Sequence, residues 1–134
     1  MKVNTLLILI GSVIVFCLII GLIIHRNGFK LFALVTDGED RVYANFVALK
    51  GELTRQIDLD EGDVCTLYYA ITENSGNVDI YLYDTLGDEM SVFYEGRDNY
   101  VFTADYTGIY PVTIVSEWAS GEIDVYWRVV KASN

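Results

Sequence analysis

The one histidine, His25, lies at the end of an apolar run near the N-terminus, so the rest of the chain has no imidazole for acid–base work or metal binding. Of the two cysteines, Cys17 lies inside that run and only Cys65 lies beyond it. A Ser-His-Asp triad, a Cys-His pair and a zinc cluster are therefore excluded from the region after residue 26, and no glycine-rich phosphate loop is present. The 19 carboxylates are scattered through turn-like stretches, so no particular pair is set up for glycoside hydrolysis. Neither a catalytic residue nor a cofactor nor a metal ligand is expected, and the chain reads as a non-enzyme.

Two constellations invite a binding role instead. Asp58-Leu59-Asp60-Glu61-Gly62-Asp63 sets hard oxygen donors around a glycine, as a calcium loop does. Its register is not that of an EF-hand, because the glycine is fifth and no glutamate stands at position twelve. The alternative is a strand-ending turn with Gly62 at positive φ and acids solvating its tip. The second constellation is aromatic: ten Tyr, six Phe and two Trp. Tyr68, Tyr81, Tyr83 and Tyr126 alternate out of phase with the apolar residues of their segments, which puts them on an outer sheet face. Exposed aromatics there can stack on sugar rings or anchor a partner, and tyrosine is also simply a good strand former. These four are the candidate partner-binding residues.

The elements that position them are of two kinds. Residues 6–24, with Leu6 and Ile24 at the ends, carry no charge. As a helix they extend about 28 Å, close to the ~30 Å hydrocarbon core of a bilayer. The run is longer than a signal-peptide core, and no small-residue cleavage site follows it. Val15 and Phe16 before Cys17 argue against a lipoprotein signal. Residues 1–29 are thus expected to be a retained transmembrane anchor, with the lipid bilayer as its partner. Lys2 on one side and Arg26 and Lys30 on the other nearly balance the flanking charge. The shortness of the N-terminal tail favours a cytoplasmic N-terminus and a C-terminal domain outside the cytoplasm.

From Lys30 onward the chain is acidic: seven basic against nineteen acidic residues, a net of −12. That field repels nucleic acid. After a juxtamembrane linker at 30–41, ending in the turn signal Asp37-Gly38-Glu39-Asp40, period-two alternation predicts strands at 42–49, 54–59, 64–72, 78–84, 90–94, 100–103, 109–116 and 122–130. Eight antiparallel strands without helices or repeats imply an all-β, jelly-roll-like sandwich over 42–134. With one cysteine in this domain no internal disulfide is available, and Cys65 is expected in the core. Pro111 is expected at an edge or bulge, since it cannot donate to a ladder.

The most distinctive local motif is Tyr100-Val101-Phe102-Thr103-Ala104-Asp105-Tyr106-Thr107-Gly108-Ile109-Tyr110-Pro111-Val112-Thr113-Ile114. Gly108 is expected to form the corner between strands, with the Tyr110 hydroxyl bonded to backbone about four residues upstream, as in a tyrosine corner. With the turn Glu61-Gly62-Asp63-Val64 and the strand from Gly76 to Asp84, this stretch resembles the GOLD (Golgi dynamics) domain over residues 43–130. Other exported sandwiches share the corner. The resemblance implies a β-sandwich that binds protein or lipid without catalysis, and Gly108 and Tyr110 carry over as structural residues only. The eukaryotic receptors of that family have a C-terminal membrane helix, a coiled coil and a domain disulfide, which this chain lacks, so cargo sorting does not carry over and a prokaryotic envelope protein fits better. The expected function is therefore a membrane-anchored extracytoplasmic binding or adaptor module. The alternatives are a carbohydrate- or calcium-dependent surface-binding domain and a structural subunit of a surface assembly.

Overall fold

The computed structural model describes residues 3–27, 29–31 and 34–133. Helix α1 spans Val3–Asn27. Every side chain from Thr5 to Ile23 is exposed, and this stretch is long and apolar enough to cross a membrane or to serve as a signal sequence. Lys2 and the side chains of Ile24, Arg26 and Lys30 lie outside the described residues, so three of the flanking charges weighed for orientation have no structural counterpart here.

The remainder is antiparallel β-structure. Seven strands follow in order: β1 (Phe29–Leu31), β2 (Leu34–Gly38), β3 (Arg41–Leu59), β4 (Val64–Tyr83), β5 (Glu89–Phe93), β6 (Gly96–Thr103) and β7 (Gly108–Val130). The N-terminal half of β3 pairs with β2 and with the C-terminal half of β7, which pairs in turn with the N-terminal half of β4; β6 closes that row. The C-terminal half of β3 pairs with the N-terminal half of β7, then comes the C-terminal half of β4, then β5. Two layers thus share the same three long strands, and β1 joins β3 where the layers meet, Phe29 opposite Lys50.

The layers meet along one crease. Register shifts occur in β3 between Phe46 and Gly51 and in β4 between Glu73 and Asn77, with their β7 partners lying between Ser116 and Gly121. A bulge places two successive residues on one face, so the inward-facing parity changes there. In β3 the buried hydrophobic residues are Val42, Ala44 and Phe46 before the crease, then Ile57 and Leu59; in β4 they are Cys65, Leu67 and Ile71, then Val78, Ile80 and Leu82; in β7, Tyr110, Val112 and Ile114, then Ala119, Ile123, Val125 and Trp127. All belong to one core, so both layers face it. Aromatic rings join them across the middle: Tyr69 to Phe93 at 4.7 Å, Phe93 to Tyr100 at 5.7 Å, and Phe102 to Tyr110 at 5.5 Å. The polar groups that the bulges free find partners. The Glu73 carboxylate accepts from Val78 N–H at 2.7 Å, and the Ser116 hydroxyl donates to the Gly51 carbonyl at 3.2 Å.

The expectation of eight strands needs correction. The expected strands 42–49 and 54–59 run together in β3, 64–72 and 78–84 in β4, and 109–116 and 122–130 in β7. The turn residues between them carry each strand from one layer to the other and make no hairpin, because the same neighbouring strand stays paired on both sides of each bulge. The segment 30–41, expected as a linker, instead supplies β2 and most of β1. Pro111 lies in the central strand β7, opposite Gln56 of β3, and the pairing with β4 stops at Val112, one residue short of the proline. Cys65 is fully buried, and burial pushes its thiol up to about 11.

Candidate functional site

The four candidate tyrosines do not form one patch. All four point away from the core, but Tyr68 and Tyr126 lie on the outer face of the first layer, whereas Tyr81 and Tyr83 lie on the outer face of the second. β4 carries both Tyr68 and Tyr81 and crosses the crease between them, so one strand contributes to two opposite surfaces. The expected contact face bearing Tyr81 and Tyr83, extended by Tyr68 and Tyr126, is therefore corrected to two separate pairs. Tyr81 and Tyr83 stack with their rings 6.2 Å apart. Partial burial, then Asp79 and Tyr94, raises the Tyr81 pKa.

The Tyr68–Tyr126 pair is the more elaborated. The two residues are direct cross-strand partners, and their rings lie parallel, 4.7 Å apart at an angle of 11°. Each ring also has an arginine near it: Arg41 is 5.7 Å from the Tyr126 centroid and Arg128 is 5.9 Å from that of Tyr68. Arg41 is held by Asp124 in a two-pronged contact, Nε to Oδ1 at 2.9 Å and Nη2 to Oδ2 at 2.7 Å, which raises the arginine pKa further. The register places Asn99, Tyr68, Tyr126 and Arg41 in one row across four strands. The next row carries Arg97, Ala70, Asp124 and Tyr43. Ala70 is the one small side chain among these eight. An open depression of about 1050 Å3 lies here, lined by residues of both rows and by the β2–β3 turn.

Sequence reasoning named Tyr68 and Tyr126 but missed Arg41, Ala70, Arg97, Asn99 and Asp124. Alternation puts each of these on an outer face, but only the cross-strand register sets them side by side.

The acidic turn has a different role. Gly62 takes φ +88°, and Asp63 N–H donates to the Asp60 carbonyl at 3.0 Å. The Asp63 side chain is 1% exposed, and both its oxygens are engaged. Oδ1 accepts from Ala132 N–H at 2.9 Å, while Oδ2 accepts from Lys131 Nζ at 2.8 Å and Asp60 N–H at 2.9 Å. The Lys131 contact foremost, with the two backbone donors, lowers the Asp63 pKa to about 2. A carboxylate so committed closes the turn against the end of β7. Among the described residues, no group of three or more His, Cys, Asp or Glu could hold a metal ion.

At the corner, the Tyr110 hydroxyl donates to the Tyr106 carbonyl at 2.9 Å, four residues upstream. Gly108 has φ +156°, and a Cβ there would stand 2.9 Å from the Thr85 Cγ2. Gly108→Val is therefore expected to cost about 1–3 kcal/mol, and Tyr110→Phe about 1 kcal/mol through the lost hydrogen bond. Urea melts of both variants check this. Unchanged midpoints would remove the corner as a stabilising element.

No protein-family model and no curated relative matches the chain by sequence. By structure it is similar to TmCBM61, solved in complex with β-1,4-galactotriose, with a TM-score of 0.50 at 16% identity over 79% of this chain and 86% of that one. It is also similar to a CBM4 domain, with a TM-score of 0.43 at 11% identity over 81% and 83% of the two chains. PliG of Aeromonas hydrophila, a periplasmic inhibitor of g-type lysozyme, has a TM-score of 0.42 at 12% identity over 75% and 91%. At such identities the likeness to TmCBM61 concerns fold alone, and the fold it shares with this chain is the β-sandwich.

Proposed function

We propose that this chain is a non-catalytic carbohydrate-binding module on a jelly-roll-like sandwich, held at a membrane by α1 and displayed outside the cytoplasm. The observation that carries the proposal is the depression beside the Tyr68–Tyr126 stack. Ala70 leaves space beside the stacked rings, and planar donors and acceptors surround it: Arg97, Asn99, Asp124 and Arg41. A sugar ring offers an apolar C–H face and hydroxyls that both donate and accept, which is the combination this lining matches. Three arginines against four carboxylates leave the lining near neutral, while the domain around it carries −12. That field opposes uronic or sulfated chains, so the expected ligand is a neutral oligosaccharide. The fold shared with a galactotriose-binding module agrees with this reading.

The test is a glycan array probed with the intact protein in detergent, with β-1,4-galactotriose included, followed by titration calorimetry on any hit. Replacing both Tyr68 and Tyr126 by alanine should weaken binding by about tenfold or more, since aromatic contacts contribute about 0.5–1.5 kcal/mol each beyond their area. Tyr81→Ala with Tyr83→Ala, on the opposite face, should leave it unchanged. An array without neutral glycans among the hits would refute the proposal. The second reading is a protein-binding adaptor, and the Tyr81–Tyr83 stack favours it. Its mark would be partner capture in a pull-down that fails in the Tyr81, Tyr83 double variant. The GOLD-like assignment stays with that second reading and rests on the Gly108–Tyr110 corner.

A further inference from the structure

The end of the sandwich joined to α1 is the crease. β1 begins two residues after Asn27, the last residue of the helix, and its backbone pairs with Ala48, Leu49 and Lys50 of β3. The turns at Gly38–Arg41 and 60–63 lie at the opposite end of the strands. With α1 as a membrane span, its apolar run ends at Ile24, so the three further residues to Asn27 rise about 4–5 Å above the hydrocarbon edge. That distance is close to the thickness of one headgroup layer, ~5–7 Å. Two more residues reach at most about 7 Å, and a paired strand lies about 5 Å beyond. Covalent geometry thus holds the crease at the bilayer surface.

The crease presents side chains suited to that place. Trp118 sits there at φ +49°, a backbone state that bulky residues rarely adopt, with its side chain 47% exposed. Lys50 Nζ lies 5.4 Å from its ring centroid and 3.5 Å from the Glu117 carboxylate, and Val47, in the same bulged stretch of β3, is 58% exposed. Trp with Lys is the pairing found where apolar ring and polar rim both need a partner, at the membrane–water interface.

We propose that the crease is a bilayer-docking surface, with Trp118 seated among zwitterionic lipid headgroups. The sandwich then stands on the membrane by two attachments, α1 and the crease, and the Tyr68–Tyr126 depression lies toward the free end. This inference rests on α1 being a retained membrane span, and it is independent of the carbohydrate reading.

The test uses the full chain reconstituted into phosphatidylcholine vesicles. Flotation with the vesicles reports the helix. Tryptophan emission reports the crease, and subtraction of a Trp118→Phe variant removes the contribution of the buried Trp127. The expected result is flotation together with a blue-shifted Trp118 emission, quenched by lipids brominated near the headgroup more than by lipids brominated deep in the tail. Flotation with an unshifted, unquenched Trp118 would overturn the docking surface while leaving the anchor intact. Protein that stays with the aqueous fraction would overturn the anchor, and the docking surface with it.

Discussion

Replacing Gly121 by alanine is expected to remove a large part of the protein's stability. Gly121 lies in β7 on the crease at φ +150°, and a Cβ there would run into the Thr72 carbonyl oxygen, with the Thr72 carbonyl carbon 3.0 Å and the Glu73 Cα 3.2 Å away. These obstacles are backbone atoms of a paired strand, so no rotamer change relieves them. Gly76 is the same case from the β4 side: at φ +68°, its Cβ would stand 2.5 Å from the Trp118 carbonyl oxygen and 2.6 Å from that of Glu117. Either substitution must part β4 from β7 at the line where the two layers meet. A loss above about 4 kcal/mol is expected, against a total of about 5–15 kcal/mol for an ordinary domain. Gly87 is the control. Its φ is +88° but open space surrounds it, so Gly87→Ala should cost only about 1 kcal/mol of backbone strain. Urea melts followed by circular dichroism would compare the three. Equal small shifts would mean that the crease does not depend on close backbone approach.

The second large effect concerns acid. Asp63 has its carboxyl held at about 2 by Lys131 and by the backbone N–H groups of Asp60 and Ala132. In the unfolded chain the same group titrates near 3.9. A carboxyl whose folded pKa is depressed contributes stability above its unfolded pKa and loses it as pH falls through its folded value. The contribution should therefore be complete above about pH 5 and should disappear between about pH 4 and pH 2. Asp63→Asn removes the charge and must turn an amide toward donors. It should lower the urea midpoint at pH 7 strongly, and lower the slope of stability against pH in that acid window. Lys131→Met, which removes only the leading contact, should produce a smaller change in the same direction. Parallel pH profiles for the parent protein and Asp63→Asn would show that another carboxylate governs the acid limb. Addition of calcium should move neither midpoint, because both oxygens of Asp63 are already engaged.

Much of the strand pattern was legible because it is a local signal. Period-two alternation at 64–72 put Cys65, Leu67 and Ile71 inward and Tyr68 outward, and the structure places them so. The corner was legible for the same reason: the bond from Tyr110 to Tyr106 spans four residues and needs no distant strand. The gaps between expected strands that contain Lys50-Gly51 and Asn74-Ser75-Gly76-Asn77 have turn chemistry, yet no reversal within a sheet forms there. Glycine and asparagine permit a bulge as readily as a reversal, and which one forms depends on whether the neighbouring strand continues. That neighbour, β7, lies some forty residues or more further along the chain, beyond the reach of any local pattern.

The amino-acid sequence alone determined that the chain joins an apolar helix to an acidic, antiparallel β-domain without internal cross-links, and that certain tyrosines face outward. Those properties depend on hydropathy, charge and spacing within a few residues. Only the tertiary structure decided that one line of bulges folds three long strands into both layers. It also decided that Tyr68 and Tyr126 meet with Arg41, Asp124 and Ala70 while Tyr81 and Tyr83 go to the opposite side, and that Trp118 lies at the end nearest α1. Side-chain parity is reset by each extra residue in a bulge, and the rows of a sheet are assembled from strands far apart in the chain. Which residues share a surface is thus set by register, which belongs to the paired strands together and to none of them singly.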